Sequence, residues 1–75
     1  MSDVRIDARG LVCPLPVIAL ARAAAAHPPG SVVRLLADDP AAEADIPAWC
    51  RLKGAELLEV IPADDGALAY RVRTP

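Results

Sequence analysis

The sequence predicts an α+β fold: a two-layer α/β sandwich, β-α-β-α-β-β, with a mixed four-stranded sheet and both helices on one face. Three observations lead to it. Segments of alternating apolar and charged residues open and close the chain, an alanine-rich segment follows the first of them, and an Asp-Gly turn precedes the last. With 75 residues, the chain is long enough for one domain only, so we expect residues 1–75 to share one core.

The first half of the chain predicts a strand, a helix and a second strand. Residues 4–9 alternate between apolar and charged side chains, the period of a strand with one solvated face. From Val17 to His27 nothing interrupts a helix, and Pro28-Pro29-Gly30 ends it. Residues 31–37 are rich in Val and Leu, which predicts a mostly buried strand. A right-handed crossover would make the two strands parallel.

A second helix is predicted in the middle of the chain. Asp38-Asp39-Pro40 is typical of a turn or a helix cap. Asp45 is the predicted N-cap of a short helix that ends at Gly54. Pro47 would then lie in the first turn, where a missing N–H is tolerated.

The last part of the chain predicts an antiparallel hairpin. Residues 56–61 form the third strand, Asp65-Gly66 marks the turn, and residues 68–73 alternate as the fourth strand. Alternation in the outer strands puts both helices on one face of the sheet and water on the other. That open face is either a docking surface or simply solvated, and the charged residues expected on it are Arg5, Asp7, Arg71 and Arg73.

Composition and charge exclude several classes of function. Hydrophobic residues make up 55% of the chain but aromatic residues only 3%, so the core is aliphatic and too small for a deep catalytic cavity. The formal charge is −2 and no Lys/Arg cluster occurs, so we expect no direct nucleic-acid partner. Two cysteines and one histidine make a poor metal site, and we expect neither a metal nor another cofactor.

The sequence also predicts a cellular location. Its first residues lack the apolar region of a signal peptide, and no apolar run is long enough to span a bilayer. We therefore expect a cytoplasmic protein with reduced thiols and no membrane partner.

The segment Cys13-Pro14-Leu15-Pro16 carries the most chemical information. Pro14 suits the first helical position and disfavours helical angles at the residue before it, which predicts Cys13 as the N-cap. The helix dipole would then lower the pKa of the thiol, and Arg9 would add positive potential. Pro16 suggests a rigid turn that presents the sulfur to solvent. The alternative is a small cysteine buried in the core.

At this point the chain resembles the TusA/SirA-like sulfur-carrier (sulfurtransferase) family. The segment DARGLVCPLP, residues 7–16, resembles its D-x-x-G-x-x-C-P-x-P signature. Residues 38–40 (DDP) and 45–50 (DIPAWC) resemble its second block, and the likeness covers essentially the whole chain. It implies a fold like the C-terminal domain of translation initiation factor three, with strands ordered first, second, fourth, third. Arg22 and Ala55 depart from the Lys and His that many members carry.

The resemblance implies a function as well. Cys13 would accept sulfane sulfur as a persulfide and pass it on in a relay that serves tRNA thiolation or other sulfur trafficking. Its protein partners would be a sulfur donor, such as a cysteine desulfurase or a rhodanese-like protein, and a sulfur acceptor. The chain would act as a sulfurtransferase without being a self-sufficient enzyme. Gly10, Pro14 and Pro16 would support the motif.

Alternatives remain open for the second cysteine and for the whole chain. Cys50 lies on the predicted second helix and is expected to be buried, although it could be a resolving thiol for Cys13. A competing interpretation of the chain is a non-catalytic interaction or regulatory module in which Cys13 is structural or redox-sensing.

The charged residues near the two motif blocks have two possible roles. The acidic ones are expected to be turn and capping residues, with partner docking as the alternative. The basic ones would contact an acidic donor surface or the persulfide, or would simply be solvated. These residues are Asp38, Asp39, Asp45, Arg9 and Arg22.

Overall fold

The computed structural model, which describes residues 3–75, has the predicted order of strands and helices. The elements are β1 (Val4–Asp7), α1 (Leu15–Ala26), β2 (Val32–Ala37), α2 (Ala42–Lys53), β3 (Glu56–Pro62) and β4 (Leu68–Arg73), with a 3₁₀ turn over Asp64–Gly66. The sheet order is β1-β2-β4-β3. Both the α+β class and the strand order implied by the resemblance are therefore confirmed.

The two parallel strands bring the loops that follow them to one edge of the sheet. β1 runs parallel to β2, with Val4 opposite Val33, and β4 pairs antiparallel with both β2 and β3. Because β1 and β2 are adjacent and parallel, the loop after β1 lies beside the loop after β2. This is where the Cys13 segment meets the aspartates of the second block.

The core is mostly aliphatic, as the composition predicts, although both aromatic residues of the chain are buried in it. Both helices contribute to it, through Leu20 of α1 and Ile46 of α2, which are fully buried against Val33 and Leu35 of the central strands. Tyr70 of β4 is the largest of the fully buried side chains. Alternate residues of the same strands face away from the helices, so the sheet has one covered face and one open face.

The first helix begins one residue later than predicted. Its N-cap is Pro14, so Cys13 lies just before the cap, and the assignments of Cys13 as N-cap and of Pro14 as the first helical residue are wrong. Pro16 takes the second helical position, where its missing N–H breaks no intrahelical bond because first-turn donors have no partner within the helix.

The second helix begins earlier than predicted, at Ala42, so Asp45 is not its N-cap. The N-cap is Ala41, which makes no side-chain capping bond; Asp39, two residues earlier, accepts the N–H of Ala41 on its carboxylate at 3.2 Å and that of Ala42 on its carbonyl at 3.0 Å. Asp45 therefore stands in the first turn of the helix. Pro47 lies inside the helix and not in its first turn. At this interior position its missing N–H costs the helix one backbone hydrogen bond.

The predicted end of α2 and the predicted hairpin turn are confirmed. Gly54 closes the helix in the left-handed region with φ 75°, and its N–H donates to the Cys50 carbonyl. Asp65 and Gly66 both have positive φ in the turn between β3 and β4, a conformation that Asp and Gly tolerate best. No helix within residues 3–75 is both long and apolar enough to cross a membrane.

Candidate functional site

Cys13 lies in the loop between β1 and α1, and its side chain is exposed, as predicted. Two backbone hydrogen bonds shape this loop, from Leu11 to Ala8 at 3.2 Å and from Leu15 to Val12 at 2.9 Å. The Cys13–Pro14 peptide bond is cis. The thiol therefore sits in a short, internally bonded turn at the head of α1.

Two aspartates that follow β2 fix the backbone of this loop. Asp38 accepts the N–H of Gly10 on Oδ1 at 3.0 Å, and Gly10 has φ 81°, which a glycine adopts without strain. Asp39 accepts the N–H of Cys13 on one carboxylate oxygen and that of Ala41 on the other. The two motif blocks, far apart in sequence, thus form one structure, in which Asp39 holds the thiol loop and the start of α2 together.

A third aspartate contacts the sulfur itself. The Cys13 Sγ donates a hydrogen bond to Asp45 Oδ2 at 2.9 Å. This hydrogen bond raises the pKa of Cys13, and partial desolvation and the negative charges of Asp45 and Asp39 raise it further. The predicted lowering of the pKa is therefore wrong: the thiol lies before the N-cap, and the charges facing it are carboxylates. At neutral pH the resting thiol keeps its proton.

The two arginines expected near the sulfur do not contact it. Arg9 forms a bidentate pair with Asp7, from Nε to Oδ1 and from Nη2 to Oδ2, both at 2.9 Å. The pair lowers the pKa of Asp7 to about 2. Arg22 is exposed in the second half of α1, and within residues 3–75 it has no hydrogen bond to the aspartates of the site. Its link to the site remains a prediction.

The remaining motif residues have distinct surroundings. Pro14 is exposed at the cap, whereas the ring of Pro16 is fully buried and fixes the first turn of α1 in the core. Cys50 is 3% exposed, which confirms the prediction of a buried core cysteine, and burial raises its pKa. Cys13 and Cys50 are both free thiols.

Exposed apolar side chains surround Cys13 in sequence, and sequence reasoning missed them. Val12 is 66% exposed, and the others are between 36% and 43% exposed. A signal was present on α1, where the positions that face the core are 16, 20 and 23, which leaves 15 and 18 on a different face. We call this set the apolar rim; it consists of Leu11, Val12, Leu15 and Ile18.

Fold and site together define a class of small two-layer α/β proteins in which one exposed cysteine precedes the first helix. One solved structure and one curated relative match this chain over nearly the whole length of both proteins. The crystal structure of a SirA-like protein from Desulfitobacterium hafniense superposes with a TM-score of 0.82 at 30% identity, covering 93% of this chain and 95% of that one. A relative from Archaeoglobus fulgidus is 41% identical over 69 residues, which are 92% of this chain and 90% of the relative.

The family follows from two further matches. Residues 4–74 match the family described as Sulfurtransferase TusA. The sulfur carrier protein TusA of Pseudomonas aeruginosa is 40% identical over 71 residues, which are 95% of this chain and 89% of that protein. The chain belongs to the TusA family, and the resemblance to TusA/SirA-like proteins is confirmed.

Proposed function

We propose that this protein is a sulfur carrier that accepts sulfane sulfur as a persulfide on Cys13 and passes it to another protein. The observation that carries the proposal is the exposed Cys13 thiol, hydrogen-bonded to Asp45 in a loop whose backbone Asp38 and Asp39 hold. The names of the family and of its curated members support a sulfur-transfer role over a purely structural or regulatory module.

The transfer step balances without any other reagent. The Cys13 sulfur attacks the terminal sulfur of a donor persulfide, a new S–S bond forms, and the donor's own S–S bond breaks. The donor leaves as a thiol and Cys13 becomes a persulfide, so no net oxidation occurs. The second transfer repeats the exchange with Cys13 as the donor and a thiol of the acceptor as the attacking group.

Asp45 is positioned to accept the proton that the Cys13 thiol must lose in this exchange. A thiolate is the attacking species, yet the resting thiol is protonated. The Asp45 carboxylate already accepts the S–H hydrogen at 2.9 Å, so the proton leaves along an existing hydrogen bond when the donor sulfur approaches. The raised pKa protects the thiol until then, because a protonated thiol resists oxidation.

The partner proteins would dock on the surface next to the Cys13 sulfur. The apolar rim would be covered by a donor protein, such as a cysteine desulfurase or a rhodanese-like protein, and in turn by the acceptor. Exposed apolar side chains of this kind mark interaction sites when they cluster. Arg22 lies on α1, as do Leu15 and Ile18 of the apolar rim, and would pair with an acidic group of either partner.

The test is loading with labelled sulfur. Purified protein is incubated with a cysteine desulfurase and cysteine labelled in its sulfur atom, and intact and peptide masses are measured without reductant. We expect one added sulfur atom per chain, on Cys13, and none in Cys13→Ala. Cys50→Ala is the matched control and should load as the wild type does. Equal loading of Cys13→Ala would overturn the proposal.

A further inference from the structure

The open face of the sheet carries a row of arginines that sulfur transfer does not use. Arg5 of β1 lies opposite Arg34 of β2, and Arg34 lies opposite Arg71 of β4. Their neighbours in sequence, such as Val33 and Leu35, are buried under the helices, so the arginines extend from the other face. Like charges directly opposite each other destabilise a sheet unless something compensates them.

Only the third arginine of the row is compensated within residues 3–75. Arg71 pairs with Asp3 at 3.0 Å and with Glu59 at 3.5 Å. In the same part of the chain, no carboxylate lies within ion-pair distance of Arg5 or Arg34.

The acidic side chains near Arg5 and Arg34 are engaged with other arginines: Asp3 pairs with Arg71, and Asp7 pairs with Arg9. Asp7 shares their face of the sheet but is held in its bidentate pair with Arg9. Arg5 and Arg34 are therefore adjacent positive charges without a direct ion-pair partner in the described part of a chain whose formal charge is −2.

A cavity lies at this pair of charges. It has a volume of about 200 Å³, sits between β1 and β2, and is lined by Arg5, Ile6, Asp7, Arg34 and Leu36. Guanidinium groups present parallel N–H donors that match two oxygens of one oxyanion. Apolar atoms beside them reduce competition from water. None of the lining residues belongs to the aspartate-anchored loop that holds Cys13.

We propose that Arg5 and Arg34 bind a phosphate group of a small ligand in this cavity. The charge decides between oxyanions: a phosphate monoester carries about −1.5 to −2 at pH 7 and balances two arginines, whereas a carboxylate balances one. Binding would also remove the repulsion between the two guanidinium groups. The site is independent of the proposed sulfur transfer and would remain if Cys13 carried no sulfur.

The experiment is a titration with inorganic phosphate followed by ¹H–¹⁵N NMR, with the ionic strength held constant by sodium chloride. We expect saturable shifts at the Arg5 and Arg34 Nε–H signals and at the amides of residues 5–7 and 34–36. Arg34→Gln should lose the saturation. Arg51→Gln, which removes an exposed arginine from the last turn of α2, should keep it.

Three outcomes would overturn the proposal: shifts that rise linearly without saturation, the same saturation in Arg34→Gln, or acetate saturating the same signals at the same concentration. Thermal unfolding gives an independent measurement that tolerates a variant of altered basal stability. Phosphate should raise the Tm of the wild type, because a ligand that binds only the folded state stabilises it. The Tm of Arg34→Gln should not respond, and an equal rise in this variant would contradict the assignment.

Discussion

Replacing Asp39 by Ala tests whether one carboxylate joins the thiol loop to the second helix. The side chain accepts the backbone N–H of Cys13 and that of Ala41, so Asp39→Ala leaves two donors without their partner. Each such hydrogen bond contributes about 0.5–1.5 kcal/mol. Because Asp39 is half-buried and water can replace part of each bond, we expect a loss of about 1–2 kcal/mol. For a domain of this size that lowers the Tm by roughly 4–16 °C.

The assay is urea and thermal unfolding, combined with hydrogen exchange of the two amides. Exchange at Cys13 and Ala41 should accelerate in Asp39→Ala. Asp39→Asn retains one acceptor oxygen, so its loss should be about half. Asp64→Ala removes an exposed aspartate of the hairpin turn and should change stability by less than about 0.5 kcal/mol. A loss in Asp39→Ala no larger than in Asp64→Ala, or unchanged exchange at Cys13, would refute the reasoning.

Three further substitutions or titrations test other parts of the structure. Asp45→Asn removes the charged acceptor that raises the pKa of Cys13, so the pH profile of alkylation by iodoacetamide should move to lower pH; a move to higher pH would contradict the geometry. The pKa of Asp7 is about 2 rather than 3.8, so the stability from its pair with Arg9 is present above pH 3.8 and is lost as the pH falls through 2. An NMR titration of the Asp7 carboxyl carbon with a midpoint near 3.8 would disprove this. Gly54→Ala should lower the free energy of unfolding in urea by about 1–2 kcal/mol, because φ is 75° and an alanine is strained in this left-handed conformation. No atom lies within 4 Å of the added Cβ, so the loss would come from the backbone conformation and not from a clash, and an unchanged stability would contradict it.

The fold was largely predictable because its signals are local. Alternation identified β1 and β4, and Gly54 and Asp65-Gly66 marked the end of α2 and the hairpin. The order of the strands came from the family resemblance alone, since local patterns do not determine which strand inserts between two others. Helix starts were the weakest part. Asp45 has the residue type of an N-cap, but α2 begins earlier, with Ala41 as its N-cap and the Asp39 carboxylate accepting the Ala41 N–H.

The central residue of the site was predicted correctly from the sequence, whereas the predicted direction of its pKa shift was wrong. Cys13 was found from its prolines and the motif, and its exposure is confirmed. Its surroundings depend on contacts between residues more than 25 positions apart, with Asp39 and Asp45, which no local spacing encodes. A pKa depends on every charge within a few ångströms of the group, so the two carboxylates reversed the direction that a helix terminus alone would give.

The place of β4 in the sheet has a consequence for how the protein is assembled. β4 follows the other three strands in sequence, yet it lies between β2 and β3, and in the described part of the chain β3 pairs with the sheet through β4 alone. During synthesis β4 leaves the ribosome after the other three strands, so these strands emerge without the one that unites them. The aspartate-anchored thiol loop stands on β1 and β2, and these two strands lack their antiparallel neighbour until residues 68–73 arrive. A chain that stops short of them would carry the cysteine on half a sheet.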